Sequence, residues 1–177
     1  MTFADPTHNL EQFGLTPGMH VADLGSGSGF YTIAAAKLLK DNGKVYSLEV
    51  QKELLTKIKS EAERNHLNNI EIIWANIEKL GGTKLRERSM DAAIISNVLF
   101  QIEDKRTFIL EVKRILKPEG RVLFIDWSES YGGMGPSATH VVSKSNAEAL
   151  FKAEGFSFER ELSVGAHHYG IILKRNG

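Results

Sequence analysis

Residues 21–29 read Val21-Ala22-Asp23-Leu24-Gly25-Ser26-Gly27-Ser28-Gly29, an apolar run holding one carboxylate and closing on three glycines at alternate positions. Glycine admits positive φ and lets backbone N–H groups approach a ligand closely at the start of the next helix. A strand feeding such a turn is the opening unit of a wound α/β sheet. Further short β-branched or apolar runs follow at 44–48, 70–74, 92–96, 121–127 and 167–173, after a first one at 20–24. Between them lie segments of helical spacing. Over 51–67, Leu54, Ile58 and Ala62 share one face opposite Lys and Glu, and the pattern stops at Asn68-Asn69. Over 105–116, Phe108, Ile109, Val112, Ile115 and Leu116 align, with Asp104 as cap and Pro118 and Gly120 as the stop. Ser145-Asn146-Ala147-Glu148 has capping-box spacing before a helix ending near Gly155.

The strand runs before residue 128 are apolar nearly throughout, as strands covered on both faces should be. The expected fold is therefore α/β: a doubly wound, Rossmann-like, mostly parallel seven-stranded sheet with right-handed crossovers. After Gly155, the runs 156–161 and 167–173 are joined by a short Gly-containing link, which predicts a C-terminal antiparallel hairpin closing the sheet edge. No repeat or Pro/Ser-rich linker divides the 177 residues, so they read as a single domain, 1–177, with a short N-terminal segment (1–18) and a Gly-rich loop (128–143).

Composition narrows the chemistry. Lys plus Arg (22) balance Asp plus Glu (22), which gives no overall attraction to nucleic acid or an anionic membrane, and the absence of cysteine removes disulfides, thiolate metal sites and Cys nucleophiles. Lys105, Arg106, Lys113, Arg114 and Lys117 interleave with Glu103, Asp104, Glu111 and Glu119, which reads as a solvated helix face. No apolar run nears the ~18 residues of a membrane helix. Met1-Thr2-Phe3-Ala4-Asp5-Pro6 has neither basic flank nor apolar core of a signal peptide, so a cytoplasmic protein is expected.

In a doubly wound sheet, ligands sit outside the carboxyl ends of the strands where the winding reverses. Those ends carry Asp23 with the glycine turn, Glu49, Asn76, Ser96-Asn97 and Asp126-Trp127. The dinucleotide pattern G-x-G-x-x-G fails at Phe30, and no P-loop pattern occurs. Glu49 lies about 20 positions beyond the turn, where a carboxylate accepts hydrogen bonds from ribose hydroxyls and disfavours a 2′-phosphate. Asp23 adds a second negative charge, which suits a cationic ligand better than a pyrophosphate.

These residues resemble the first motif of class I S-adenosylmethionine-dependent methyltransferases. The resemblance runs on through Glu49, Asn76, Met90-Asp91, Ser96-Asn97 and Ile115-Leu116-Lys117-Pro118-Glu119-Gly120-Arg121-Val122, spanning roughly residues 16–175. The segment Val98-Leu99-Phe100-Gln101-Ile102-Glu103-Asp104 resembles the small-molecule branch that includes quinone-pathway methyltransferases, with Phe100-Gln101 where that branch has paired histidines and Asn76 where Asp is usual. The resemblance implies methyl transfer from S-adenosylmethionine to a small-molecule acceptor by in-line displacement, leaving S-adenosylhomocysteine, with no metal. It implies that Asp23, Gly25, Ser26, Gly27 and Gly29 hold the methionine part, Glu49 the ribose, and Val50 and Ile77 the adenine faces. Asn76 would meet the adenine edge, Ser96 the methionine amine, and Asn97, Asp126 and Trp127 the acceptor.

Base candidates at the rim are Asp126, Glu129, Tyr131, His140 and His168; His20 and His66 read as structural. His167-His168 sit as strand neighbours facing opposite ways, which argues against joint metal chelation. Little sequence is available for a lid before the first strand or after the fifth. An open site is therefore expected, or one completed by the Gly-rich loop, an oligomer partner or a large acceptor. Alternatives are a protein methyltransferase and a non-catalytic cofactor-binding module or partner subunit. An RNA methyltransferase lacks its Asn-Pro-Pro-aromatic motif at 96–99, and a NAD-type oxidoreductase lacks its fingerprint.

Overall fold

The computed structural model describes residues 5–177, so the reading of Met1–Ala4 as lacking a leader lies outside the described residues. Seven strands, β1 (His20–Leu24), β2 (Lys44–Glu49), β3 (Ile70–Trp74), β4 (Met90–Ser96), β5 (Leu116–Trp127), β6 (Phe156–Leu162) and β7 (His168–Arg175), form one sheet in the order β3-β2-β1-β4-β5-β7-β6. The pairs from β3 to β5 are parallel, and β7 runs antiparallel to both β5 and β6. The winding reverses between β1 and β4, because the chain first builds outward through β2 and β3 and then returns to the other side of β1. This is the doubly wound arrangement expected from the strand–helix alternation.

Residue parity along each strand sends alternate side chains to two cores. On one face, α1 (Pro6–Phe13) and α2 (Phe30–Leu39) pack Leu10, Phe13, Ala35 and Leu39 against Val21, Val45, Ile94, Leu123 and Ile125. On the other, α4 (Lys105–Ile115) and α5 (Lys144–Ala153) pack Phe108, Val112, Ile115 and Phe151 against Ala22, Leu48, Ala93, Val122 and Phe124. The remaining long helix, α3 (Lys52–Arg64), buries Ile58 and Ala62, as its apolar stripe predicts. No helix among the described residues is long and apolar enough to cross a membrane.

Three local readings are corrected. The segment before β1 contains helix α1, capped by Asp5 Oδ1 accepting from Thr7 N at 2.9 Å, with Pro6 in its first turn and Leu10 and Phe13 fully buried. Helix α5 starts two residues before the capping-box reading, because Ser143 rather than Ser145 accepts from a helix amide, that of Asn146. The terminal antiparallel hairpin closes the sheet edge as expected, with β7 against β5 and β6 outermost. His167 precedes β7 with φ +64 and is not a strand neighbour of His168.

Gly29 shows why the turn into α2 needs glycine. Its φ is +83, and a Cβ there would lie 2.6 Å from Cγ1 of the buried Ile58 on α3. Left-handed backbone and overpacking together cost about 3 kcal/mol. Gly29→Ala should lower the thermal midpoint by roughly 5 to 10 °C in a ligand-free melt; a midpoint within a degree of the parent would refute this account of the turn.

Candidate active site

The strand ends enclose a cleft of about 700 Å³ over the β1/β4 switch point. Asp23, Gly25, Ser26, Gly27, Glu49, Val50, Asn76, Ile77, Ser96, Asn97, Trp127 and His168 line it. The structure thus gathers most of the residues singled out from the sequence. Gly29 stands one position back as the N-cap of α2 and is not part of the cleft wall. Asp126, Tyr131 and His140 also lie outside the lining. Residues that the sequence reading did not assign to the site complete it, among them Pro6, Phe30, Tyr31, Gln101 and Met134. Phe30, Val50 and Met134 are large exposed side chains, so the rim is unsealed, in keeping with the open site expected.

Glu49 ties the turn to the second strand. Its Oε2 accepts from Gly27 N at 3.0 Å, while Oε1 accepts from Val50 N at 2.8 Å and Gln51 N at 3.0 Å. A carboxylate oxygen takes about two hydrogen bonds, so Oε2 keeps one position for a ligand hydroxyl. Asp23, 2% exposed, faces the same side of the sheet as Val21 and meets Thr32 of α2. Thr32 Oγ1 lies 2.6 Å from Asp23 Oδ2 and 3.0 Å from Ser47 Oγ. Ser47 Oγ is 2.8 Å from Ser26 Oγ, which is 3.3 Å from the Leu48 carbonyl oxygen. Burial pushes the Asp23 carboxyl up to about 7, with the nearby Glu49 charge adding to the rise and the Thr32 hydroxyl opposing it.

The β4 end carries Asn97 at φ +59, a left-handed conformation that asparagine tolerates. Its Oδ1 is buried without a hydrogen-bond partner. Tyr31, whose hydroxyl accepts from Asn9 Nδ2 of α1 at 2.9 Å, joins the N-terminal helix to this end of the cleft. Burial raises the Tyr31 phenol above its ordinary value.

Asp126 and Trp127 illustrate strand parity at the β5 end. Asp126 lies on the face shared by Val122 and Phe124, with Oδ1 accepting from Trp127 N at 2.8 Å. Burial pushes its carboxyl up to about 6, against the opposing effect of the backbone amides of Trp127, Phe100 and Leu99. Its Oδ2 is buried without a hydrogen-bond partner, and the residue stands outside the cleft lining. Trp127 takes the other face, with the His168 ring centroid 4.2 Å away. Gly135 of the Gly-rich loop, at φ +72, lies so close to the indole that an added Cβ would sit 2.4 Å from it, so this loop folds down onto Trp127. His140 bonds to Ser137 Oγ at 2.7 Å within the loop, and His167 to Glu129 Oε1 at 2.7 Å while stacking on Tyr131.

The charged residues lining the cleft are Asp23, Glu49 and Glu78, with no lysine or arginine among the described lining residues. Such a site favours a cation carrying hydroxyls and disfavours phosphates.

Comparison with known proteins agrees with this reading. The family described as "Methyltransferase domain" matches residues 15–171. A ubiquinone/menaquinone biosynthesis C-methyltransferase UbiE from Shewanella putrefaciens is 29% identical over 126 residues, covering 69% of this chain and 48% of that protein. An arsenite methyltransferase from Halobacterium salinarum is 28% identical over 112 residues, covering 63% of this chain and 28% of that protein. The chain thus spans about half the length, or less, of these curated relatives. Among solved structures, a SAM-dependent methyltransferase from Aquifex aeolicus superposes with a TM-score of 0.87 at 27% identity, covering 97% of this chain and 90% of that one. With the β1/β4 cleft, the glycine turn and Glu49 all in place within the matched span, this chain belongs to the methyltransferase domain family.

Proposed function

We propose that the chain is an S-adenosylmethionine-dependent methyltransferase acting on a small, uncharged acceptor. The observation that carries this reading is the charge of the cleft: three carboxylates and no cationic side chain line a pocket with a ribose acceptor, Glu49, at one end. S-Adenosylmethionine fits it, being a nucleoside with a positive sulfonium and an ammonium. The free position on Glu49 Oε2 suits a ribose hydroxyl. Val50 and Ile77 flank the expected adenine, Asn76 stands at its edge, and Asp23 with the glycine turn faces the amino-acid part.

When bound, S-adenosylmethionine supplies an electrophilic methyl group on a good leaving thioether. The protein's share is alignment and exclusion of water, effects worth several kcal/mol when donor and acceptor are held in line. Trp127, Met134, Gln101 and Ile102 form the acceptor end, an apolar and aromatic wall with few polar groups. An acceptor with an apolar ring suits that wall better than a charged one. No metal is required for such a displacement.

A thermal-shift titration tests the cofactor. A ligand at about 100 times its Kd stabilises the native state by about 2.7 kcal/mol, which for a chain of this size raises the midpoint by roughly 5 to 10 °C. S-Adenosylmethionine and S-adenosylhomocysteine should do so, and NAD should not. No shift with either methionine-derived compound would refute the proposal.

A further inference from the structure

We propose that Gln101 determines which molecules are methylated: its side-chain carbonyl oxygen takes a hydrogen bond from an N–H or O–H on the methyl acceptor. The inference deepens the cofactor reading above and rests on it, because that reading gives the β2 and β3 ends to the nucleoside and leaves the β4 and β5 ends to the acceptor.

Sheet order separates the two ends. Val50 and Ile77 follow β2 and β3, whereas Asn97 and Trp127 stand at the ends of β4 and β5, on the other side of β1. Gln101 closes the short 3-10 helix Leu99–Gln101 that follows β4. It lines the cleft and is exposed, so a molecule entering the cleft can reach it. Its amide returns to the end of β4, where Nε2 donates to the Asn97 main-chain carbonyl at 3.0 Å. That bond decides which end of the amide is which. A carbonyl oxygen only accepts, so the NH2 group must face Asn97 and Oε1 must be the other end. Oε1 has no partner among the described residues and keeps its lone pairs free.

The surroundings give this oxygen its selectivity. Ile102, Trp127 and Met134, the rest of the acceptor end, present mostly carbon. His168 also lines the cleft, but its Nδ1 is bonded to the Ala166 carbonyl at 3.0 Å and its Nε2 is buried. A cleft lined by Asp23, Glu49 and Glu78 disfavours an anionic acceptor, so the molecule arrives with its hydrogen in place. An N–H or O–H that leaves water and finds no partner weakens binding. Gln101 supplies that partner, and it does nothing for a ring whose oxygen or nitrogen carries no hydrogen. The acceptor class selected is an apolar ring bearing at least one N–H or O–H.

Phenol and anisole test this without the natural acceptor. Anisole keeps the ring and the oxygen but has no hydrogen to donate. Each is titrated into protein saturated with S-adenosylhomocysteine, at pH about 7.5, where phenol retains its hydrogen, and binding is followed by ligand-detected NMR. Gln101→Met keeps the length of the side chain and removes the amide. Phenol should bind this variant about three- to tenfold more weakly than it binds the parent, the range of one neutral hydrogen bond. Anisole and S-adenosylhomocysteine should each stay within about twofold. Labelled-methyl transfer into the small-molecule fraction of a cell extract should fall by a similar factor when the extract is limiting. Phenol binding unchanged in the variant, an equal loss for both rings, binding of neither ring to the parent complex, or undiminished transfer overturns the assignment. Failure of the parent to bind S-adenosylhomocysteine at all overturns instead the cofactor reading beneath it.

Discussion

Glu49→Ala is expected to weaken S-adenosylmethionine binding by about 100-fold or more, measured by isothermal titration calorimetry. Two losses combine. A hydrogen bond to a charged group contributes about 1.5 to 3 kcal/mol, and the ribose loses at least one such bond. The side chain also holds the amide of Gly27 in the turn and those of Val50 and Gln51 at the start of α3. Without it these amides lose their acceptor, and the turn must be ordered by the ligand itself. Glu49→Gln separates the two effects: it keeps the shape but faces one of the three amides with a donor instead of an acceptor. Its loss should fall between the parent and the alanine variant. A change below about threefold in Glu49→Ala would show that the nucleoside does not reach this carboxylate.

The second large effect belongs to Asp23 and depends on pH. Its carboxyl is raised from 3.8 to about 7 in the free protein, chiefly by burial. A raised acid binds its proton more tightly when folded than unfolded, so folding stability from this group declines as pH climbs from about 4 to 7 and is flat above. At about 1.4 kcal/mol per unit, the upper limit of that cost is roughly 4 kcal/mol. Asp23→Asn should therefore melt roughly 5 °C higher than the parent at pH 8 and show little difference at pH 4. Binding should move the opposite way. A sulfonium and an ammonium select the ionised carboxylate, so parent affinity should drop by up to about tenfold per pH unit below 7, with close to one proton released on binding at pH 6. The asparagine variant should bind weakly with no such slope. Proton release near zero in the parent, judged from calorimetry in two buffers of different ionisation enthalpy, would contradict this account.

The sheet was legible because each strand end is marked by a change from apolar to polar residues, and the glycine turn announces where the first strand stops. Parity was harder. Asp126 and Trp127 both end β5, and position alone puts either at the rim. Counting back by twos from Phe124 and Ile125 separates them, since those residues face the α4/α5 and α1/α2 cores respectively. Tyr31 and Pro6 carried no signal of their own. Tyr31 enters because the first turn of α2 faces the cleft, and Pro6 because α1 packs across α2, a tertiary fact invisible in eight residues of modest amphipathicity. His167 was misread because nothing local separates the last loop residue from the first strand residue when both are histidine. Its backbone is left-handed, and its side chain bonds to Glu129 and stacks on Tyr131.

The row of hydroxyls beside the turn has a consequence in simple proton counting. From Asp23 through Thr32, Ser47 and Ser26 to the Leu48 carbonyl there are four oxygen–oxygen links, and the three alcohols own one hydrogen each. With the acid neutral, its hydrogen is the fourth and every link is bridged. With the acid charged, one link must stand empty. Charging a residue in one wall of the pocket thus leaves one contact of the row without a hydrogen, at the least by turning the Thr32 hydroxyl back to the acid, without moving a heavy atom.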